Sequence, residues 1–121
     1  MGRRWEGQEM TDALQMEVDY TPDSLLALFE RAAAKPSTDP VLEAERKTAR
    51  KDRITLLRVP NYFEEAAAIQ KVGSLEADLI DDYFGGLAND EWKLWEPTVK
   101  KLQESDKQAF VEFEQMAKRA D

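Results

Sequence analysis

Six carboxylates stand close together in the second half of this chain: Glu64, Glu65, Glu76, Asp78, Asp81 and Asp82. Several carboxylate oxygens at one point are what a hard divalent cation such as Mg²⁺ or Ca²⁺ requires, and helical spacing brings Asp78 and Asp82 onto one face. The pattern of a known acidic site is missing. An all-helical nucleotide pyrophosphohydrolase would need Glu-x-x-Glu and then an acidic pair on the next helix, and the third residue after Glu65 is Ala68. No EF-hand loop is present either, so a solvated acidic helix face accounts for these residues without a metal. The chain has no His and no Cys, which removes Ser-His and Cys-His nucleophile pairs, disulfides and thiol chemistry. Gly85-Gly86 precedes Leu87-Ala88-Asn89-Asp90 rather than the Lys-Ser/Thr of a phosphate-binding loop, and it reads instead as a tight corner between helices. We expect no enzyme, no cofactor and no resident metal.

What remains is surface chemistry. The net charge of -8 is unevenly placed, with ten Lys/Arg against eleven Asp/Glu in residues 1–60 and seven against fourteen in residues 61–121. From Ser74 to Glu96 seven acids, Glu76, Asp78, Asp81, Asp82, Asp90, Glu91 and Glu96, stand against one lysine. Such a run could meet a protein partner, or stand in for the phosphates of a nucleic acid as phage inhibitors of restriction or CRISPR machinery do. Direct binding of nucleic acid is not expected, because the field of the whole molecule repels phosphate. Glu45 to Arg58 is locally basic, with six Lys/Arg against two acids, and could touch an acidic partner or nucleic acid, or simply pair its charges along a helix. Trp92, Trp95, Val99 and Leu102 repeat at i, i+3, i+7 and i+10, which places the tryptophans in the core rather than at an interface hot spot. Trp5 has no stripe to join, so it either folds back on the domain or docks onto another chain.

These residues need elements to hold them. With 121 residues the chain suits one domain with its own core. Residues 1–20 read as a polar arm with a helical turn or two, where Leu14 and Val18 stand four apart. Thr21-Pro22 opens a helix with an apolar stripe of Leu25, Leu28 and Phe29 that ends by Lys35-Pro36, and residues 35–40 form a loop. A third helix starts at Asp39-Pro40 and runs to about Val59, with Val41, Ala44, Ala49, Ile54 and Leu57 inward. Pro60 kinks or stops it and Asn61 restarts it. Gly73 suits a left-handed cap, Ser74-Leu75-Glu76 begins the next helix, and Gly85-Gly86 ends that one. Asn89-Asp90-Glu91 starts the tryptophan helix, with Pro97 in its early turns. Ser105 and Gln108 make a capping box for a last helix carrying Phe110, Phe113, Met116 and Ala117. No segment alternates with period two. The fold class is therefore all-α, a compact bundle of five or six helices in a single domain over residues 21–121. No run is apolar enough to span a bilayer and the N-terminus lacks the apolar core of a signal peptide, so a cytoplasmic location without membrane contact is expected.

Tyr62-Phe63-Glu64-Glu65, Gly73, Leu75, Asp82-Tyr83-Phe84-Gly85-Gly86 and Trp95-Glu96-Pro97 stand in an order that resembles a bacterial and phage family of small helical domains of unknown function. The resemblance covers about residues 53–104. It implies an aromatic-Glu-Glu helix, a glycine turn, an acidic helix ending in Phe-Gly-Gly and a tryptophan helix with a proline. It also implies a transmembrane helix ahead of this region in many members, where this chain has a polar arm. We expect a non-enzymatic interaction or regulatory protein acting on protein partners and on itself as a homo-oligomer. Trp5 and the seven acids are its candidate contacts. A nucleic-acid mimic is the alternative, and for it charge reversal at Asp78, Asp81 and Asp82 abolishes binding to a nucleic-acid enzyme, in a binding assay, while the melting temperature is unchanged.

Overall fold

The computed structural model describes residues 8–71 and 77–119, with side chains over 8–68 and 86–119. Among the described residues six helices follow in order: α1 (Gln8–Glu17), α2 (Pro22–Ala33), α3 (Pro40–Leu56), α4 (Arg58–Lys71), α5 (Ala77–Ser105) and α6 (Val111–Arg119). There is no strand among the described residues, so the bundle is all-α as its periodicity requires.

Helix α5 is the spine. It packs on α2 from one side and on α4 and α6 from the other, while α1 rests on α3 and α4, and α3 lies along α2. Trp95, Thr98 and Val99 of α5 are fully buried. Phe29 and Trp95 meet edge-to-face with ring centres 5.6 Å apart. Phe63 stacks on Phe113 at 5.3 Å, and Trp92 and Phe113 meet edge-to-face at 5.4 Å. Offset and edge-to-face pairs of this kind add about 0.5–1.5 kcal/mol each beyond the area they bury.

Helix starts follow local chemistry. The Thr21 hydroxyl accepts from the Ser24 N–H at 3.1 Å and the Ser24 hydroxyl accepts from the Thr21 N–H at 2.8 Å, with Pro22 in the first turn. Asp39 caps α3 by accepting from the Val41 N–H at 2.9 Å. Helix α6 is capped from a distance. The Glu64 carboxylate on α4 accepts the Phe113 N–H at 2.8 Å and the Glu112 N–H at 3.4 Å, placing negative charge at the positive end of a helix. Asn89 on α5 donates to the Ala117 carbonyl at 3.3 Å near the other end.

Several boundaries differ from the sequence expectation. The arm contains α1, whose inward stripe is Met10, Ala13 and Glu17; Val18 points outward at 82 % exposure. The break between α3 and α4 falls at Leu57 rather than Pro60. Pro60 occupies the first turn of α4, where its missing N–H leaves no ladder bond broken. Ser105 closes α5 instead of opening α6; residues 106–110 make the turn, with Phe110 in the left-handed region at φ 55. The Gly73 cap and the start at Ser74–Glu76 lie outside the described residues.

The largest difference is at Gly85-Gly86. Both lie inside the 29-residue α5, as does Pro97. Each glycine costs a helix roughly 1 kcal/mol and an interior proline roughly 3, and burial of Trp92, Trp95, Thr98 and Val99 along the same helix outweighs that. Gly86 has ordinary helical backbone, and a Cβ built on it meets nothing within 4 Å. A corner glycine in the left-handed region would be harmed by a side chain; this one is not. Gly86→Ala therefore stabilises the protein by roughly 0.5–1 kcal/mol in urea unfolding.

Candidate functional site

Two features stand out from the packing: a buried pair of acids under α1, and a basic outer face on α3. Glu17 ends α1 in register with Met10 and Ala13, and is 7 % exposed. Its Oε2 accepts the Trp95 indole N–H at 2.7 Å. Beside it is Glu91, half-buried on α5, one turn before Trp95, with an Oε2 that is shielded from solvent. Burial first, then the hydrogen bond and the charge of Glu91, push the Glu17 carboxyl up to about 9 against a smaller opposing pull from the Trp95 N–H. Burial likewise raises Glu91, helped by the charge of Asp90. Two carboxyl groups in contact inside an apolar core cannot both ionise, so the pair holds a proton between them at neutral pH.

Carboxyl pairs that share a proton also occur in hydrolases. Here Glu17 is closed to solvent and spent on Trp95, so the arrangement ties α1 to α5 rather than presenting a reactive oxygen to a substrate.

Helix α3 presents Lys47, Arg50, Lys51 and Ile54 at i, i+3, i+4 and i+7, all exposed. Ile54 is 63 % exposed, although the sequence pattern turned it inward with Val41. Ala49 is buried as its spacing requires, but it shares the inward face with Arg46 and Leu56, and Ala44 is exposed. Arg46 is the one cation of the basic run that is buried against a partner, donating from Nε and Nη2 to Glu43 at 2.9 and 2.7 Å. Glu43 also accepts the Ser37 N–H at 2.9 Å. These bonds, that to Arg46 foremost, hold Glu43 down at about 2.

Six of the expected contact residues lie on α5. Asp90 and Glu96 are exposed on α5, and Glu91 turns inward. Trp5 and Glu76 lie outside the described residues, and Asp78, Asp81 and Asp82 have helical backbone within α5. Trp92 and Trp95 are core residues as their spacing requires. Of the acids weighed as metal ligands, Glu64 caps α6 and Glu65 lines a crevice with Glu9, Arg58 and Tyr62. Among the described residues no three acids converge on a point that could hold a metal ion, and no helix is long and apolar enough to cross a membrane.

Comparison with known families gives one match, a family described as Domain of unknown function (DUF4760), over residues 3–120. The chain belongs to the DUF4760 family. The match extends well beyond residues 53–104, where the resemblance was legible. It takes in α1, α2 and α6, so Glu17 and the Glu64 cap belong to the shared domain rather than to an appendage. No curated protein and no solved structure matches this DUF4760 chain.

Glu17 was not singled out from the sequence. Its signal was an acid placed seven after Met10 and four after Ala13, on what proves to be the apolar side of α1.

The linkage between charge and folding has a definite sign. Glu17 has its folded pKa raised from 4.5 to about 9, so its contribution is fully present below pH 4.5 and is lost as pH rises toward 9. Glu43 is lowered to about 2, so its contribution is lost as pH falls through that range. Stability therefore peaks on the acid side of neutrality. Glu17→Gln keeps an acceptor for Trp95 and removes the proton that Glu17 has to take up on folding. It raises stability at pH 8 by on the order of 1–2 kcal/mol and flattens the decline between pH 5 and 9, in urea unfolding followed across pH.

Proposed function

We propose that this DUF4760 protein is a non-enzymatic interaction protein that associates with an acidic protein surface through the outer face of α3. The observation that carries this is the exposed stripe of Lys47, Arg50, Lys51 and Ile54. An apolar side chain 63 % exposed amid cations that make no ion pair among the described residues supplies both contact area and orientation for a partner. The same chain offers the complement. Its second half carries fourteen acids against seven Lys/Arg, with Asp90, Glu96 and Glu104 exposed on α5. A second copy is thus the partner that the charge distribution itself supplies. A nucleic-acid mimic has less support, because Glu91 is engaged with Glu17 inside the fold.

Light scattering on the eluting protein at about 50 and about 300 mM salt tests this, since opposed exposed charges are screened over that range. The expected result is an oligomer at low salt that dissociates at higher salt, and dissociates at low salt in Lys47→Glu/Lys51→Glu with no change in melting temperature. A monomer at every salt, at concentrations up to about 100 µM, overturns self-association.

A further inference from the structure

Between α2, α3 and α5 lies a half-open crevice of about 330 Å³. This is within the size range of small-molecule sites. Its α5 wall is one helical stripe, Thr98, Lys101 and Leu102 at i, i+3 and i+4; Phe29 and Glu30 come from α2, and Arg53 from α3.

Thr98 sets this crevice apart from the others. It is 0 % exposed, yet its Oγ1 makes no hydrogen bond. A threonine inside a helix ordinarily bonds back to the carbonyl of the preceding turn, and an unmet buried hydroxyl is a cost that cores of this kind avoid. Thr98 stands at the back of a recess walled by Phe29, Ala33, Ala34, Leu102 and Ser105, with two cations at its edge. Arg53 is half-buried. Lys101 is exposed, held only by a 3.4 Å pair to Glu104 on its own helix. Glu30, also at the edge, is exposed and free to stay in water.

We propose that this crevice is a binding site for a small monocarboxylate with a compact apolar body. The apolar body lies between Phe29 and Leu102. The carboxylate accepts from Thr98 Oγ1 and faces Arg53 and Lys101, whose charges are the reason to prefer an acid over a neutral amphiphile. The site is separate from the outer face of α3 and stands whether or not the protein self-associates.

Octanoate is the probe, with octanamide as its uncharged counterpart, followed by calorimetry and by amide chemical shifts of the intact protein. Octanoate binds saturably, shifts the amides of Thr98, Leu102 and Phe29, and binds more tightly than octanamide. Thr98→Val has two opposed effects. It raises the melting temperature of the free protein by removing an unmet hydroxyl, and it weakens octanoate by about tenfold. Arg53→Gln/Lys101→Gln weakens octanoate by a similar factor and leaves octanamide unchanged. The proposal is overturned if octanoate does not saturate, if its shifts map elsewhere, or if both variants bind it as the parent does. A lower melting temperature in Thr98→Val also overturns it, because the hydroxyl would then already be bonded within the fold.

Discussion

The indole N–H of Trp95 has to find an acceptor, and the fold is arranged around where that acceptor comes from. Trp95 is fully buried on the central helix, where an unmet donor costs about 1–3 kcal/mol. Its partner is Glu17, 78 residues earlier in the chain. That one bond carries α1 across to α5 and takes a carboxyl group into the core. Phe29 closes on the same ring, so α1 and α2 meet at Trp95. One turn away Trp92 joins Phe113, and through it Phe63, so α4 and α6 meet there. The bundle is two aromatic clusters strung on one helix, which explains why α5 runs unbroken over 29 residues despite two glycines and a proline.

The acid surplus looks different once the side chains are placed. Glu43 locks the α2–α3 loop to Arg46 and Ser37. Glu64 caps α6. Burial alone would push Glu114 up, but Gln103, Lys100 and Lys118 outweigh it and hold it at about 2. With Glu17 and Glu91, five acids are committed to internal geometry. Composition cannot separate such carboxylates from solvated ones, since both read as negative charge.

Fold class was legible because long amphipathic stripes decide it. Leu25, Leu28 and Phe29 on α2 and Trp92, Trp95 and Val99 on α5 are buried as their spacing requires. Element ends were less legible. Gly-Gly signals a corner only when nothing stronger pulls the helix straight, and here the tryptophan cluster does. The α6 start was misplaced because its cap is Glu64, on another helix and 49 positions from the N–H it accepts, beyond any local pattern. The same holds for the sites. An acid on an apolar stripe, Glu17, or a threonine between buried neighbours, Thr98, becomes informative only once its surroundings are known.

Helix α6 has nine residues, too few to persist alone in water. It is entered through Phe110 in a strained left-handed conformation, and its ends are met by groups on α4 and α5. Its helicity is therefore borrowed. The α4–α5 platform is what α6 winds against, and its Phe113 is the lid over Phe63 and Trp92. In hydrogen exchange, α6 amides open together and earlier than those of α5, as a single unit of lower local stability.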